Sequence, residues 1–220
     1  MKIFLDSASS NELKFFKKWG IIDGVTTNQK IFLKEKGTDF KTRVIELCSL
    51  ANDLPVSVES NGNTLDDLLN DARNFSKLAP NVVAKIPMTS DGLGLEAVSI
   101  LSKENIKTNV TAMMNLIQLI IATKAGATYV SLFYNRSKDA GEDPSQIIKS
   151  YKKWTSENKY STKLIVGSIR NISDVEDAAI SGADITTITP EILKQLPFHK
   201  KTEETLKEFD DAWKEFLSNN

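Results

Sequence analysis

The sequence is poor in the residues that many enzyme chemistries require. It has one cysteine, Cys48, and one histidine, His199, in 220 residues. A single cysteine excludes an internal disulfide and a thiolate-metal framework, and its place within a helical apolar pattern assigns Cys48 to the core. The single histidine follows Pro197-Phe198 near the C-terminus, so neither serine–histidine catalysis nor a multi-histidine metal site has its parts. No metal and no cofactor is expected. Charge of one sign is also missing: a formal net charge of -1 provides no general basic field for nucleic acid or anionic lipid. No apolar run approaches the roughly 18 residues of a membrane span. At the N-terminus, three apolar residues after Lys2 meet Asp6, too short a run for a signal peptide. The expectation is a cytoplasmic protein with no nucleic-acid or membrane partner.

What is present is an ordinary globular composition, 40% hydrophobic and 26% charged, arranged in alternating short strands and helices. Strands are expected over 2–5, 23–26, 56–59, 81–87, 106–111, 128–133, 163–169 and 185–188. Helices are expected from a Ser9-x-x-Glu12 capping box to about Trp19, then over 39–50, 64–78, 92–102 and 115–124. Others start at Pro144, at a Ser173-x-x-Glu176 cap and after Pro190, and an amphipathic one covers 202–217. The polar stretch 135–143 reads as a loop. Eight such units point to a parallel sheet closed into a (β/α)8 barrel. The alternative, an open doubly wound sheet, usually carries a glycine-rich first turn. Here the first strand ends Leu5-Asp6-Ser7-Ala8, and Gly92-x-Gly94 lacks a third glycine. No linker, repeat or low-complexity stretch interrupts the pattern, so residues 1–220 are expected to form a single barrel domain ending in the 202–217 helix.

Side chains alternate across a strand with period two, and on seven strands the polar residues keep one phase. Thr26 and Asn28 oppose Val25; Ser57 and Glu59 oppose Val56 and Val58; Lys85 opposes Ala84 and Ile86. Lys107, Asn109 and Thr111 oppose Ile106 and Val110, while Tyr129, Ser131 and Phe133 oppose Val130 and Leu132. Ser168 and Arg170 oppose Gly167 and Ile169, and Asp6 opposes Ile3 and Leu5. Each has an ordinary explanation alone: a helix cap for Asp6, a turn former for Asn28, an exposed loop charge for Arg136, a snorkelling edge lysine for Lys85. Their agreement in phase, and their position toward the C-terminal strand ends where barrel active sites are built, points to one site. A lysine buried in Asn81-Val82-Val83-Ala84-Lys85-Ile86-Pro87 must be paired, reach water or lose its proton. Its neutral amine is a carbonyl nucleophile. Burial, aided by Lys107 or an arginine, would favour that form. The chemistry expected is a lysine imine with a sugar ketone, protons being moved by Glu59 and Asp6. Arg136 and Arg170, with Ser168, suit a phosphate.

The segments Val25-Thr26-Thr27-Asn28, Val82-Val83-Ala84-Lys85-Ile86-Pro87, Ile106-Lys107-Thr108-Asn109-Val110-Thr111, Ala125-Gly126-Ala127-Thr128-Tyr129-Val130-Ser131 and Gly167-Ser168-Ile169-Arg170 resemble the small, single-domain branch of the transaldolases. The resemblance runs from the first strand to the final helix. It implies a cofactor-free class I (β/α)8 enzyme of the pentose phosphate pathway. Such an enzyme moves a dihydroxyacetone unit from fructose 6-phosphate or sedoheptulose 7-phosphate to erythrose 4-phosphate or glyceraldehyde 3-phosphate.

By that resemblance Lys85 would form the Schiff base and Asp6 would be the acid/base of carbon–carbon cleavage. Glu59 and Thr111 would hold the water of imine formation and hydrolysis. Thr26 and Asn28 would lie against the donor, Asn28 and Asn109 binding its hydroxyls. Ser131 and Phe133 would shape the pocket, and Arg136, Ser168 and Arg170 would bind phosphate. Fructose-6-phosphate aldolases of the same branch, which release free dihydroxyacetone, carry glutamine at the position of Glu59 and tyrosine at that of Phe133. The pair found here is the transferase-like one. A catalytically silent sugar-phosphate-binding barrel is the alternative from another class. Two departures stand out: Gln29-Lys30 where the branch usually has Pro-Ser, and Leu132 where a proline is common. The resemblance also implies pentamers or decamers in which the C-terminal helix reaches a neighbour. The stripe Leu206, Phe209, Trp213 and Phe216 suits that, or docking on its own barrel.

Overall fold

Alternation of apolar and polar residues can be satisfied twice over if a sheet curls until its polar face becomes an interior. That is the architecture of the computed structural model, which describes residues 1–35 and 37–219. In chain order the elements are β1 Lys2–Asp6, α1 Ser10–Lys17, β2 Gly24–Thr26, α2 Gln29–Phe32, α3 Phe40–Ala51, β3 Val56–Glu59, α4 Leu65–Ser76, β4 Val82–Pro87, α5 Leu93–Lys103 and β5 Thr108–Met113. They continue with α6 Leu116–Lys124, β6 Tyr129–Phe133, α7 Tyr134–Asp139, α8 Pro144–Glu157, β7 Lys163–Gly167, α9 Ile172–Ile180, β8 Ile185–Ile188, α10 Pro190–Leu193 and α11 Lys200–Ser218. The strands pair in sequence order, all parallel, and β8 pairs back to β1. The fold is a closed (β/α)8 barrel with an additional C-terminal helix, and the open doubly wound alternative is excluded.

The main core lies between barrel and helices. Leu5, Val25, Val56, Val58, Ala84, Ile86, Val110, Val130 and Leu132 face outward and pack against the helix residues Leu13, Phe16, Leu47, Leu68, Leu101 and Leu119. Cys48 belongs to this layer. A smaller apolar plug of Phe4, Ile165 and Ile185, with Tyr129 against it, closes the inside of the barrel beneath the polar residues. Ile165 is therefore an inward residue, as is Gly167 two positions on, while Leu164 and Val166 join the outer core. The polar phase expected on this strand is thus reversed. Ser168 reaches the barrel mouth because the strand ends at Gly167 and Ser168 turns back with φ +60°.

Other differences have equally local causes. The stretch expected as a loop after β6 begins with α7, whose Tyr134, Asn135 and Ser137 are buried. Their polar atoms are satisfied: Ser137 Oγ donates to Met114 O at 2.7 Å and Tyr134 Oη to Asp177 at 3.1 Å. The cap of α9 is Asn171, paired with Asp174 in a reciprocal box, and Ser173 sits inside the helix. At α1 only half the expected box forms. The Ser9 hydroxyl accepts from Glu12 N, but the Glu12 carboxylate takes the Ser7 hydroxyl. β5 starts and ends two residues later than expected and carries a bulge between Val110 and Met113.

No residue of α11 is buried. Leu206, Phe209 and Trp213 are 56%, 65% and 58% exposed, so the stripe does not dock on the chain's own barrel. Among the described residues no helix is long and apolar enough to cross a membrane.

The pair Gly92 and Gly94 has a structural reason. Gly92 caps α5 in the left-handed region, φ +86°, and a Cβ on Gly94 would stand 2.2 Å from the carbonyl oxygen of Pro87. The backbone of α5 therefore presses on the end of β4, the strand that carries Lys85. A carbonyl in a strand cannot swing aside as a side chain can. Gly94→Ala is expected to cost about 1–3 kcal/mol as an overpacking change, read as a lowered urea midpoint at unchanged slope.

Candidate active site

The C-terminal mouth of the barrel holds a cavity of about 120 Å³ lined by Asp6, Thr26, Asn28, Lys85, Thr111, Ser131, Phe133, Arg136, Gly167, Ser168 and Thr187. Lys85 rises from its floor. It is only 5% exposed, and a buried ammonium needs partners. The register places Glu59 and Asn109 on either side of it. Glu59 Oε2 lies 2.8 Å from Nζ, and Nζ also donates to the Thr27 carbonyl oxygen at 3.0 Å.

Asp6 stands across the cavity. Thr26 Oγ1 donates to its Oδ1 at 2.7 Å, and Thr187 supplies the hydrogen between its own hydroxyl and that of Thr26. Burial pushes the Asp6 carboxyl above the ordinary carboxylate range; the Lys85 charge and the Thr26 hydroxyl oppose that rise, and the Glu59 charge reinforces it. Glu59 thus pairs with the ammonium directly, and the Asp6 carboxyl feels its charge.

Thr111 contributes a buried hydroxyl that no group among the described residues partners. Such a group needs water or a ligand oxygen. The bulge explains how it stays on the wall: Ala112 takes φ +61°, and Met113 turns out to pair with outward-facing Leu132. Asn28 serves twice, its Oδ1 accepting from Ile31 N at 3.1 Å to cap α2 while the side chain lines the cavity.

Asn109 lies beneath the cavity and does not line it. Its Nδ2 donates to Ser57 Oγ at 3.2 Å and its Oδ1 accepts from Ser131 Oγ at 2.7 Å. Glu59 lies behind Lys85, reached through the ammonium. Lys107 is at the opposite end of the barrel, in a cleft with Asn52 and Asn81, so it is not the cationic neighbour of Lys85 that the sequence suggested. Arg136, exposed on α7, sets its guanidinium carbon 5.1 Å from the centre of the Phe133 ring. Among the described residues it has no carboxylate within salt-bridge distance. Arg170 is also exposed, and its guanidinium is turned to Asp139.

Two lining residues were not foreseen. Gly167 keeps the wall open, since a Cβ there would meet Thr187 Cγ2 at 3.2 Å. Thr187 follows another threonine, so period two could not say which of the pair looks inward. Among the described residues no three His, Cys, Asp or Glu side chains converge as metal ligands.

The raised carboxyl has a consequence for stability. Between its ordinary value of 3.8 and its folded value, the native chain holds a proton that the unfolded chain has lost. Stability therefore falls as pH rises through that interval, and the penalty persists above it. Asp6→Asn, which keeps the shape without the charge, is expected to melt higher than the parent at about pH 7. The advantage should shrink as pH falls toward the unfolded value, as thermal melts across pH would show.

Comparison with known proteins agrees with this geometry. The family model described as Transaldolase/Fructose-6-phosphate aldolase matches residues 3–219. The chain is 42% identical over 221 residues, the whole of both chains, to a protein of Caldicellulosiruptor saccharolyticus named "Probable transaldolase". It is 43% identical over 216 residues to one of that name from Thermoplasma acidophilum, covering 97% of this chain and 96% of the other. A third, from Lactiplantibacillus plantarum, is 40% identical over 216 residues, 98% of each chain. With a barrel, a buried lysine at its mouth and full-length similarity in agreement, the chain belongs to the transaldolase/fructose-6-phosphate aldolase family.

Proposed function

We propose that this enzyme is a transaldolase, moving a dihydroxyacetone unit between sugar phosphates through a Schiff base on Lys85. The observation that carries the reading is a buried lysine on the cavity floor, 2.8 Å from Glu59, with Asp6 facing it. Glu59 accepts a proton from the ammonium, and the free amine adds to the C2 ketone of fructose 6-phosphate or sedoheptulose 7-phosphate. The carbinolamine then loses water, which Glu59 and the unpartnered Thr111 hydroxyl hold. Asp6 takes the C4 hydroxyl proton as the C3–C4 bond breaks. The bond's electrons pass into the imine as an enamine, and the aldose phosphate leaves. Addition of the enamine to erythrose 4-phosphate or glyceraldehyde 3-phosphate reverses the sequence, and water frees Lys85.

Thr26, Asn28 and Ser131 hold the donor, and Asn109 acts from beneath by orienting Ser57 and Ser131. Phe133 closes the wall, and the phosphate is taken by Arg136, Ser168 and Arg170. Glu59 and Phe133 favour transfer over release of free dihydroxyacetone, by the resemblance of that pair to the transferases. In this reading the enzyme serves the pentose phosphate pathway in the cytoplasm. Its subunits assemble as a pentamer or decamer through α11.

Two measurements test these claims. Borohydride with fructose 6-phosphate should add a three-carbon mass to the peptide holding Lys85, and Lys85→Ala should lower kcat about 10³-fold or more. No adduct there would sink the Schiff base. Turnover of fructose 6-phosphate that needs no erythrose 4-phosphate would make the enzyme an aldolase instead. For the assembly, sedimentation should give a pentamer or decamer for the parent and a smaller species for Phe209→Glu with Trp213→Glu. A parent that sediments as a monomer refutes it.

A further inference from the structure

The Arg170 guanidinium donates through Nη1 to Asp139 Oδ1 at 3.0 Å and through Nη2 to Oδ2. Asp139 is the last residue of α7, one turn after Arg136 on the same short helix. Positions three apart are neighbours on a helix surface, so the mouth presents a cation and an anion together. Arg170 itself is fixed at the backbone and loose at the tip. Its N–H donates at 2.8 Å to Asp174 Oδ2, a buried carboxylate that also accepts from Asn135 Nδ2 at 2.6 Å. Asn135 Nδ2 in turn donates to the Ser168 carbonyl oxygen at 2.9 Å. The side chains of Arg170 and Asp139 are by contrast 53% and 57% exposed. The main chain is anchored between Ser168, which lines the cavity, and α9, while the long guanidinium arm can turn.

We infer that Asp139 is a positioning residue that holds Arg170 outside the cavity until a phosphate competes for it, and so limits the enzyme's discrimination for phosphorylated substrates. This rests on the phosphate role proposed above for Arg170. The pairing is of the two-pronged kind that a guanidinium makes with either carboxylate or phosphate. A phosphate offers three acceptor oxygens and more charge than one carboxylate. Asp139 therefore yields to it, but not to a neutral hydroxyl. Because the pair is solvent-exposed it holds Arg170 only weakly, which is what a reversible competitor needs.

The test is the ratio of KM for fructose 6-phosphate to KM for an unphosphorylated donor, free fructose, in a double-mutant cycle. Asp139→Asn should lower KM for the phosphorylated donor about twofold to fivefold, the range of an exposed ion pair, and leave that for fructose unchanged. In the Arg170→Ala background the Asp139→Asn effect should vanish. If it persists there, Asp139 acts only as a nearby negative charge and the inference fails. If Asp139→Asn raises both KM values alike, the pair is a structural tie and the inference fails. If Arg170→Ala weakens phosphate discrimination but Asp139→Asn changes nothing, the competitor role alone is wrong. If Arg170→Ala leaves discrimination intact, the phosphate role of Arg170 is wrong as well.

Discussion

A buried ammonium allows few environments, and the barrel is arranged to supply one. Lys85 sits between the outward residues Ala84 and Ile86, both in the outer core, so its side chain has only the barrel interior to enter. There it meets Glu59 and the Thr27 carbonyl oxygen. Removing the Glu59 carboxylate would leave the ammonium with only a neutral carbonyl, the costly way to break a buried pair. The strands that bring those acceptors, β2 and β3, are held in register by the same closure that aligns Glu59 with Lys85. The apolar plug below blocks the barrel, so the ammonium communicates with solvent through the mouth where substrate enters.

Period two was readable wherever the interior is polar and the exterior apolar. It gave the inward set on β1 to β4 and on β6, because polar residues alternating with aliphatic ones admit one phase. On β7 the residues Leu164, Ile165 and Val166 are all apolar, since Ile165 belongs to the plug. Hydrophobicity is there silent about direction. On β8 the consecutive threonines Thr186 and Thr187 made the opposite ambiguity, and Thr187 went unseen. The α7 segment reads as a loop because its residues are polar. It is buried because those polar atoms find partners in Met114, Asp177, Asp174 and Ser168, which involve residues distant in sequence. Pairings of that kind are made by tertiary structure and leave no local pattern.

Two departures from ordinary backbone geometry lie at the functional end. Ala112 and Ser168 both have positive φ without being glycine, one next to Thr111 and the other lining the cavity. Left-handed conformations of such residues cost energy and persist where the surroundings impose them. Here the surroundings are visible. Met113 is pulled into the outer core, and the carbonyl of Ser168 is held by Asn135. The turn at Ser168 brings its side chain to the cavity, and the turn at Ala112 sends Met113 into the outer core while Thr111 keeps the wall. A regular strand could not have set Thr111 on the wall and Met113 in the core.

The placement of charge follows from what each charge would have to do. In the proposed reaction Lys85, Glu59 and Asp6 exchange protons, and they are enclosed together. Burial raises the Asp6 carboxyl and the Lys85 charge opposes that rise, so the enclosure penalises the ionised acid and the lysine partly offsets it. Arg136 and Arg170, by contrast, have only to bind, and both stay exposed at the rim. A guanidinium there keeps its contact with water, even where Arg170 pairs with Asp139, and most of its desolvation is deferred to the moment of binding. A reacting interior and a binding rim thus separate by solvation, a division that an eight-stranded barrel makes available through its closed floor and single polar mouth.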